Sequence, residues 1–319
     1  MNALGLLVPA SPQRRQAPPE DSPLGRAALL LHGEGVCVVL GDAIAQGRMV
    51  GVLARPGRWE PVDAALIGVH DRFPSQGQAP AWRAAQAGAA GLPWANPPHL
   101  MELCRDKLLA QQVLDEGGAL CPPVEADPAA FADRLADWGL GFLKPRYGAL
   151  GVGVRQVRPG DPLPAVVDGL LGPEPALLQR AVPPPPGLAG CAARLLCQRL
   201  PGGGWWIGPA ALRRSVDDPV VNVARGATVA PAHPHEEAAL RLAAEPALAR
   251  LAAQPGGDLL VEVGLDLCLD PDGAAFVIEV NGKPRGRLLH LAQATPALWQ
   301  AHVEAAARPL RALATRCGG

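Results

Sequence analysis

The sequence predicts a mixed α/β (α+β) fold. Apolar runs of strand length alternate with segments of helical composition, and glycine-rich turns punctuate them. Of the 319 residues, 49% are apolar and 18% charged, enough apolar chain to bury a large core. The length suggests two domains or one multi-lobed body. No internal repeat is visible, and the pattern fits neither a helical bundle nor a β-sandwich.

In chain order, residues 4–8 form a short apolar strand, followed by a polar, proline-rich loop over 9–23. A helix over 24–32 and strands over 36–40, 49–53 and 64–68 complete a small α/β domain covering residues 1–98. Residues 101–117 have helical composition, with Leu103, Leu108, Val113 and Leu114 as core contacts. Phe142-Leu-Lys144-Pro reads as a strand end, Gly148-Ala-Leu-Gly151-Val-Gly153 as a glycine-rich turn, and 154–157 as a resumed strand. A helix is expected beyond 165, a strand over 176–182 and a proline linker over 183–186. Paired strands over 192–200 and 205–212 surround Gly202-Gly203-Gly204. A helix over 235–253, a hairpin and a terminal helix over 296–315 close the chain.

The formal net charge of −1 gives no electrostatic reason to expect nucleic acid or an anionic membrane surface. No apolar run reaches membrane-spanning length, and no secretion signal is read at the N-terminus. The seven cysteines are scattered, odd in number and form no CxxC pair. Together these features predict a reduced, cytoplasmic protein without structural zinc. A homodimer is the general expectation for its assembly.

The hairpin is the most informative stretch. Two apolar strands flank Asp270-Pro-Asp272-Gly273, a strong turn signal. Folding there brings Asp266 beside Glu279 and Asn281, which share one strand face because they are two residues apart. Three oxygen-bearing side chains around one point suit Mg²⁺, which completes its shell with phosphate oxygens. The alternative for Glu279 is one solvated rung of an amphipathic strand.

Phosphate binding needs positive charge and close backbone approach. Lys144, four residues before Gly148, Gly151 and Gly153, offers both, although the loop is neither a Walker A loop nor a dinucleotide fingerprint. Lys107, taken alone, reads as a solvated helix face. Arg194 and the pair Arg213-Arg214 offer planar forks of donors for phosphate or carboxylate, or surface ion pairs. Arg213 and Arg214 point to opposite faces of a strand. Asn222 is either a turn residue or a polar ligand. His233 and His235 read as the loop before a helix, and His70, Asp71 and Arg72 as a polar cluster after a strand end, either a surface turn or a substrate-facing group.

Taken in order, these motifs resemble the ATP-grasp superfamily, and within it the YheC/YheD-like, spore-coat-associated branch, over about two-thirds of the chain from Asn96 to Leu291. The resemblance implies two α+β lobes, over 99–175 and 176–319, clasping ATP behind the N-terminal domain. Asp106-Lys107 matches the first phosphate-binding lysine, Lys144 the second, and Gly148, Gly151 and Gly153 the lid. Gln179, Arg180 and Val182 match the adenine-holding hinge. Arg194, Arg213 or Arg214, and Asn222 follow the branch's order, and Asp266, Glu279 and Asn281 match its metal signature. Lys283 and Arg285, just beyond, are expected on the substrate side. Two departures stand out: Ala192 occupies a usually acidic position, and Arg180 a usually neutral or acidic one.

The resemblance implies a ligase that uses ATP and Mg²⁺ (or Mn²⁺) to convert a small-molecule or peptide carboxylate into an acyl phosphate, which an amine acceptor then attacks. A non-catalytic nucleotide-binding protein of a surface assembly, or a phosphotransferase, are the alternatives on the same fold.

Overall fold

The computed structural model describes residues 2–8, 23–72, 80–148, 151–163, 165–167, 174–221, 226–284 and 298–318. The N-terminal part of the chain forms β1 (Asn2–Leu7), α1 (Pro23–Gly33), β2 (Val38–Gly41), β3 (Arg48–Arg55), β4 (Arg58–Asp71), α2 (Pro80–Gly88) and β5 (Trp94–Ala95), whose strands make one five-stranded sheet. Strand β1 lies between β2 and β4, parallel to both, and is buried on both faces from Ala3 to Leu7. That is why it reads as a continuous apolar run. Strand β4 is far longer than its apolar core at 64–68 predicts. Its first half pairs antiparallel with β3 and its second half parallel with β1. The parallel strands β1, β4 and β5 thus end together, at Leu7, Asp71 and Ala95.

The helix expected over 101–117 is two helices, α3 (Pro98–Arg105) and α4 (Lys107–Glu116). Asp106 breaks them with an extended backbone (φ −84°, ψ 100°), and its carboxylate accepts the N–H groups of Leu108 and Leu109 as the N-cap of α4. Next come β6 (Val124–Glu125), α5 (Phe131–Trp138), β7 (Gly141–Pro145), β8 (Arg155–Val157) and β9 (Ala176–Arg180). They form a four-stranded sheet, ordered β6-β9-β7-β8, over a core centred on Phe131, Leu135, Leu143 and Leu178. The helix expected beyond 165 falls largely outside the described residues.

The second large sheet contains β10 (Gly190–Arg199), β11 (Trp205–Ile207), β12 (Ala211–Ser215), β13 (Thr228–Pro231), β14 (Glu262–Leu269) and β15 (Ala275–Asn281). The strand expected over 205–212 is interrupted: β11 and β12 both pair with β10, separated by Gly208-Pro209-Ala210. Helix α6 (Pro234–Ala252) packs on this sheet through Leu240, Ala244, Leu248 and Leu251. Helix α7 (Leu298–Cys317) instead joins the N-terminal core, where Leu310 and Leu313 meet Leu4, Leu6 and Leu31.

Candidate active site

The hairpin β14–β15 forms at the expected turn. Asp270 Oδ1 accepts the N–H groups of Asp272 and Ala274, and Gly273 adopts φ +84°, a conformation glycine tolerates without strain. Asp266 stands directly opposite Glu279, and Gly264 opposite Asn281. The register shifts between Asp266 and Leu267, leaving Ile278 unpaired as a β-bulge beside Glu279.

This hairpin forms one wall of a cleft of about 220 Å³, which the β7–β8 turn and the segment after β9 line from the other side. Lys107, the first residue of α4, and Lys144 on β7 are both buried and both line it. Lys107 Nζ donates to the Gly148 carbonyl at 2.8 Å and lies 3.9 Å from Glu279 Oε1. Lys144 Nζ donates to Gln179 Oε1 at 2.7 Å, and Gln179 in turn donates to Gln111 Oε1 at 3.1 Å. Burial pushes the Lys144 ammonium down from 10.5 to about 8, with Lys107 adding to the effect and Glu279 opposing it. Burial also raises the Glu279 carboxyl above its usual value, against the pull of Lys107 and Lys144.

Gly148, Gly151 and Gly153 all have positive φ, at +125°, +72° and +70°; residues 149 and 150 between them lie outside the described residues. Gln179, exposed Arg180, Ala181 and Val182 line the cleft where β9 ends. The backbone there is fixed by Arg180 N–H to the Pro123 carbonyl and Ala181 N–H to the Leu140 carbonyl.

The two adjacent arginines on β12 separate cleanly. Arg213 lines the cleft and donates to Asp266 Oδ1 at 2.7 Å. Arg214 faces α6 and pairs with Glu236 at 2.8 Å, so the expectation of Arg214 as a cleft residue is corrected: its alternation along β12 turns it away. Arg194 on β10 grips both oxygens of Asp266 as a fork. Burial alone would raise the Asp266 carboxyl; Arg194 and Arg213 outweigh it and hold the pKa below the ordinary value. Lys283 turns to the end of β4, where it pairs with Asp71 at 2.5 Å and lies over the Trp82 ring. Asn222 and Arg285 lie outside the described residues. Glu236 accepts the His233 N–H, so His233 and His235 stand at the start of α6.

The donor set fits a cation that brings its own phosphate ligands. Two carboxylates and one amide are all hard oxygen donors, and a single protein cage is not required. Among the described residues no cluster of three His, Cys, Asp or Glu side chains is arranged to hold a metal alone. Glu279 and Asn281 line the cleft from one strand, and Asp266 stands behind its two arginines.

Sequence reasoning missed several supporting groups. Gln111 is four residues after Lys107, hence on the same face of α4, a spacing that points to it. Arg146, two residues beyond Lys144, grips both oxygens of Asp106 at 2.8 and 2.7 Å and so fixes the start of α4.

Similar solved structures include the D-cycloserine synthetase DcsG, with a TM-score of 0.62 and 19% identity over 99% of this chain and 100% of that one. VanG D-Ala:D-Ser ligase from Enterococcus faecalis superposes with a TM-score of 0.62 at 12% identity, over 98% of this chain and 100% of that one. A RimK domain ATP-grasp protein from Sphaerobacter thermophilus gives 0.56 at 16%, over 97% and 98%. The fold is the ATP-grasp fold. No family model and no curated protein sequence matches the chain. At these identities the likeness is one of architecture, and residues of the four-stranded sheet and of the second large sheet line the cleft from its two sides.

Proposed function

We propose that this chain is an ATP-dependent carboxylate–amine ligase that uses Mg²⁺ and proceeds through an acyl phosphate. One juxtaposition carries the reading: two buried lysines and a positive-φ glycine turn line the same cleft as Glu279, Asn281 and the Asp266–arginine cluster. The names of two similar enzymes, a D-cycloserine synthetase and a D-Ala:D-Ser ligase, support amino-acid-like substrates.

In this reading the segment after β9 receives adenine, and Lys107 and Lys144 neutralise the phosphates. The glycine turn closes over them and excludes water from the acyl phosphate. Arg213 and Arg194 face the transferring phosphoryl group, and Asp266 keeps both guanidiniums oriented in the absence of substrate. Glu279 and Asn281, with Asp266, would hold Mg²⁺, which when bound offsets the charge developing on the β- and γ-oxygens. The substrate carboxylate attacks the γ-phosphorus, ADP leaves, and the amine then displaces phosphate. The YheC/YheD-like placement rests on the order of the motifs, and the cytoplasmic assignment on seven free cysteines. Among the described residues no helix is long and apolar enough to cross a membrane.

The test is ADP release by the purified protein with Mg-ATP and panels of amino acids and dipeptides as carboxylate and amine. Release that requires both, with free phosphate and an amide product, is the expected result; a stable phosphorylated product indicates a phosphotransferase. Folded Glu279→Ala should lose Mg-dependent ATP binding, and wild-type affinity in that variant would sink the metal assignment. A nucleotide-binding protein without ligase activity is the second reading, favoured by the engagement of Asp266 with two arginines. It predicts Mg-ATP binding with no substrate-dependent ADP release.

A further inference from the structure

The open end of the β14–β15 hairpin is held by one side chain of the N-terminal part of the chain. Asn96 follows β5 directly and is buried at 3% exposure. Its Nδ2 donates to the Gly282 carbonyl at 2.6 Å and to the Glu262 carbonyl at 2.7 Å. Its Oδ1 accepts the N–H groups of Val261 at 2.8 Å and Glu262 at 3.2 Å. The amide's two donors and two acceptor sites are all used, so it clasps the start of β14 and the residue just after β15.

The other side of Gly282 is closed as well. A Cβ there would lie 2.7 Å from the Met101 Sδ and Cε atoms and 3.2 Å from the Cys104 Cβ. The turn is therefore pressed between Asn96 and α3, with Asn281 immediately before it; Asn281 Oδ1 accepts the Lys283 N–H at 3.1 Å. The same short segment, 96–107, ends in Lys107, whose Nζ lies 3.9 Å from Glu279. Further contacts brace the clasp: Glu262 accepts from Arg72 at 2.5 Å and from Gln198 at 3.1 Å.

We propose that Asn96 is a positioning residue for the cation edge of the cleft, fixing the 281–283 turn so that Asn281 and Glu279 present their oxygens together. This rests on the Mg-nucleotide reading above. Partners that orient a metal's ligands typically change metal affinity by about 10–100-fold when removed, whereas all four hydrogen bonds of Asn96 go to Val261, Glu262 and Gly282 and none to β9, on which the adenine end of the cleft is built.

Asn96→Asp keeps the shape and both acceptor positions but turns a carboxylate oxygen towards the Glu262 and Gly282 carbonyls. The readouts are Mn²⁺ affinity of the protein–ADP complex, by electron paramagnetic resonance, and ADP affinity in chelator, by calorimetry. Asn96→Asp is expected to weaken Mn²⁺ by about tenfold or more while ADP in chelator stays within about twofold. In an Asn281→Ala background the same change should add little, because coupled residues are non-additive. Gly282→Ala, which crowds the turn from the Met101 side, should also weaken Mn²⁺ selectively and serves if Asn96→Asp does not fold. Undiminished Mn²⁺ affinity in folded variants, a full effect that persists in Asn281→Ala, or parallel loss of ADP binding overturns the proposal. Failure of the wild-type ADP complex to bind Mn²⁺ overturns the Mg-nucleotide reading itself, and this proposal with it.

Discussion

Raising the pH should weaken nucleotide binding in a step centred near 8, the value to which burial lowers the Lys144 ammonium from 10.5. At about 1.36 kcal/mol per pH unit, that displacement represents about 3 kcal/mol against charging Lys144 in the empty cleft. Between about 8 and 10.5 the native protein has released this proton while the unfolded chain still holds it. Stability of the free protein from this group therefore rises with pH across that window, and is lost as pH falls through about 8. Bound phosphates oppose the deprotonation, so above pH 8 ADP binding must take up a proton, and affinity should fall by up to about tenfold per pH unit. Calorimetry of ADP in chelator from pH 7 to 9.5, in buffers of different ionisation enthalpy, measures both the slope and the proton uptake. Lys144→Met keeps the length without the charge and should flatten the profile while raising the stability of the free protein at pH 7. A wild-type affinity that is constant over this range, or an equal slope in Lys144→Met, would refute the reasoning.

Other perturbations separate the parts of the site. Gly151→Val places a β-branched residue at φ +72°, costing roughly 1–2 kcal/mol, and should slow phosphoryl transfer by about tenfold in single-turnover measurements; unchanged rates would make the loop a simple turn. Arg213→Ala should lower kcat by about 10²-fold, whereas Arg214→Ala should cost at most about 1 kcal/mol of stability and leave kcat unchanged; the reverse pattern in steady-state and melting data would overturn the assignment of faces. His70 is buried, and burial holds its pKa below the ordinary 6.5. Its neutral form stabilises the fold above about 6.5, and that contribution should be lost as the pH falls towards the lower folded value. Denaturant titrations should show a weaker acid dependence below about pH 6.5 in His70→Gln, and an identical dependence would argue against it.

Local signals carried the hairpin, because Asp270-Pro-Asp272-Gly273 and the two-residue spacing of Glu279 and Asn281 are both short-range. The break at Asp106 was less legible: Cys104-Arg105-Asp106-Lys107 has helical composition, and only the N-cap geometry shows that one helix ends and another begins. Sequence left Arg213 and Arg214 as alternatives because alternation along a strand separates the faces without saying which is inside; the partners Asp266 and Glu236 decide it. The Arg194–Asp266 pair and the Asn96 clasp were invisible for a different reason. Their partners lie 72 and up to 186 positions away, a separation at which no periodicity or turn rule operates. The helices α2 and α5 went unread beside their stronger apolar neighbours.

The packing of α7 on the N-terminal core has a consequence for synthesis. Leu4, Leu31 and Leu40 share a core with Ala307, Leu310 and Leu313, and Glu34 pairs with Arg311 across the same seam. A Cβ at Gly68 would meet the Cys317 sulfur at 2.7 Å, so the second half of β4 is also fitted to α7. Residues near the N-terminus leave the ribosome first, yet their apolar face waits for a helix that begins at Leu298, far beyond the end of β4 at Asp71, a long-range closure of the kind that slows folding and exposes intermediates. A fragment ending near residue 98 should therefore emerge as a sticky half-core, and adding the 298–317 helix in trans is the natural way to make it soluble.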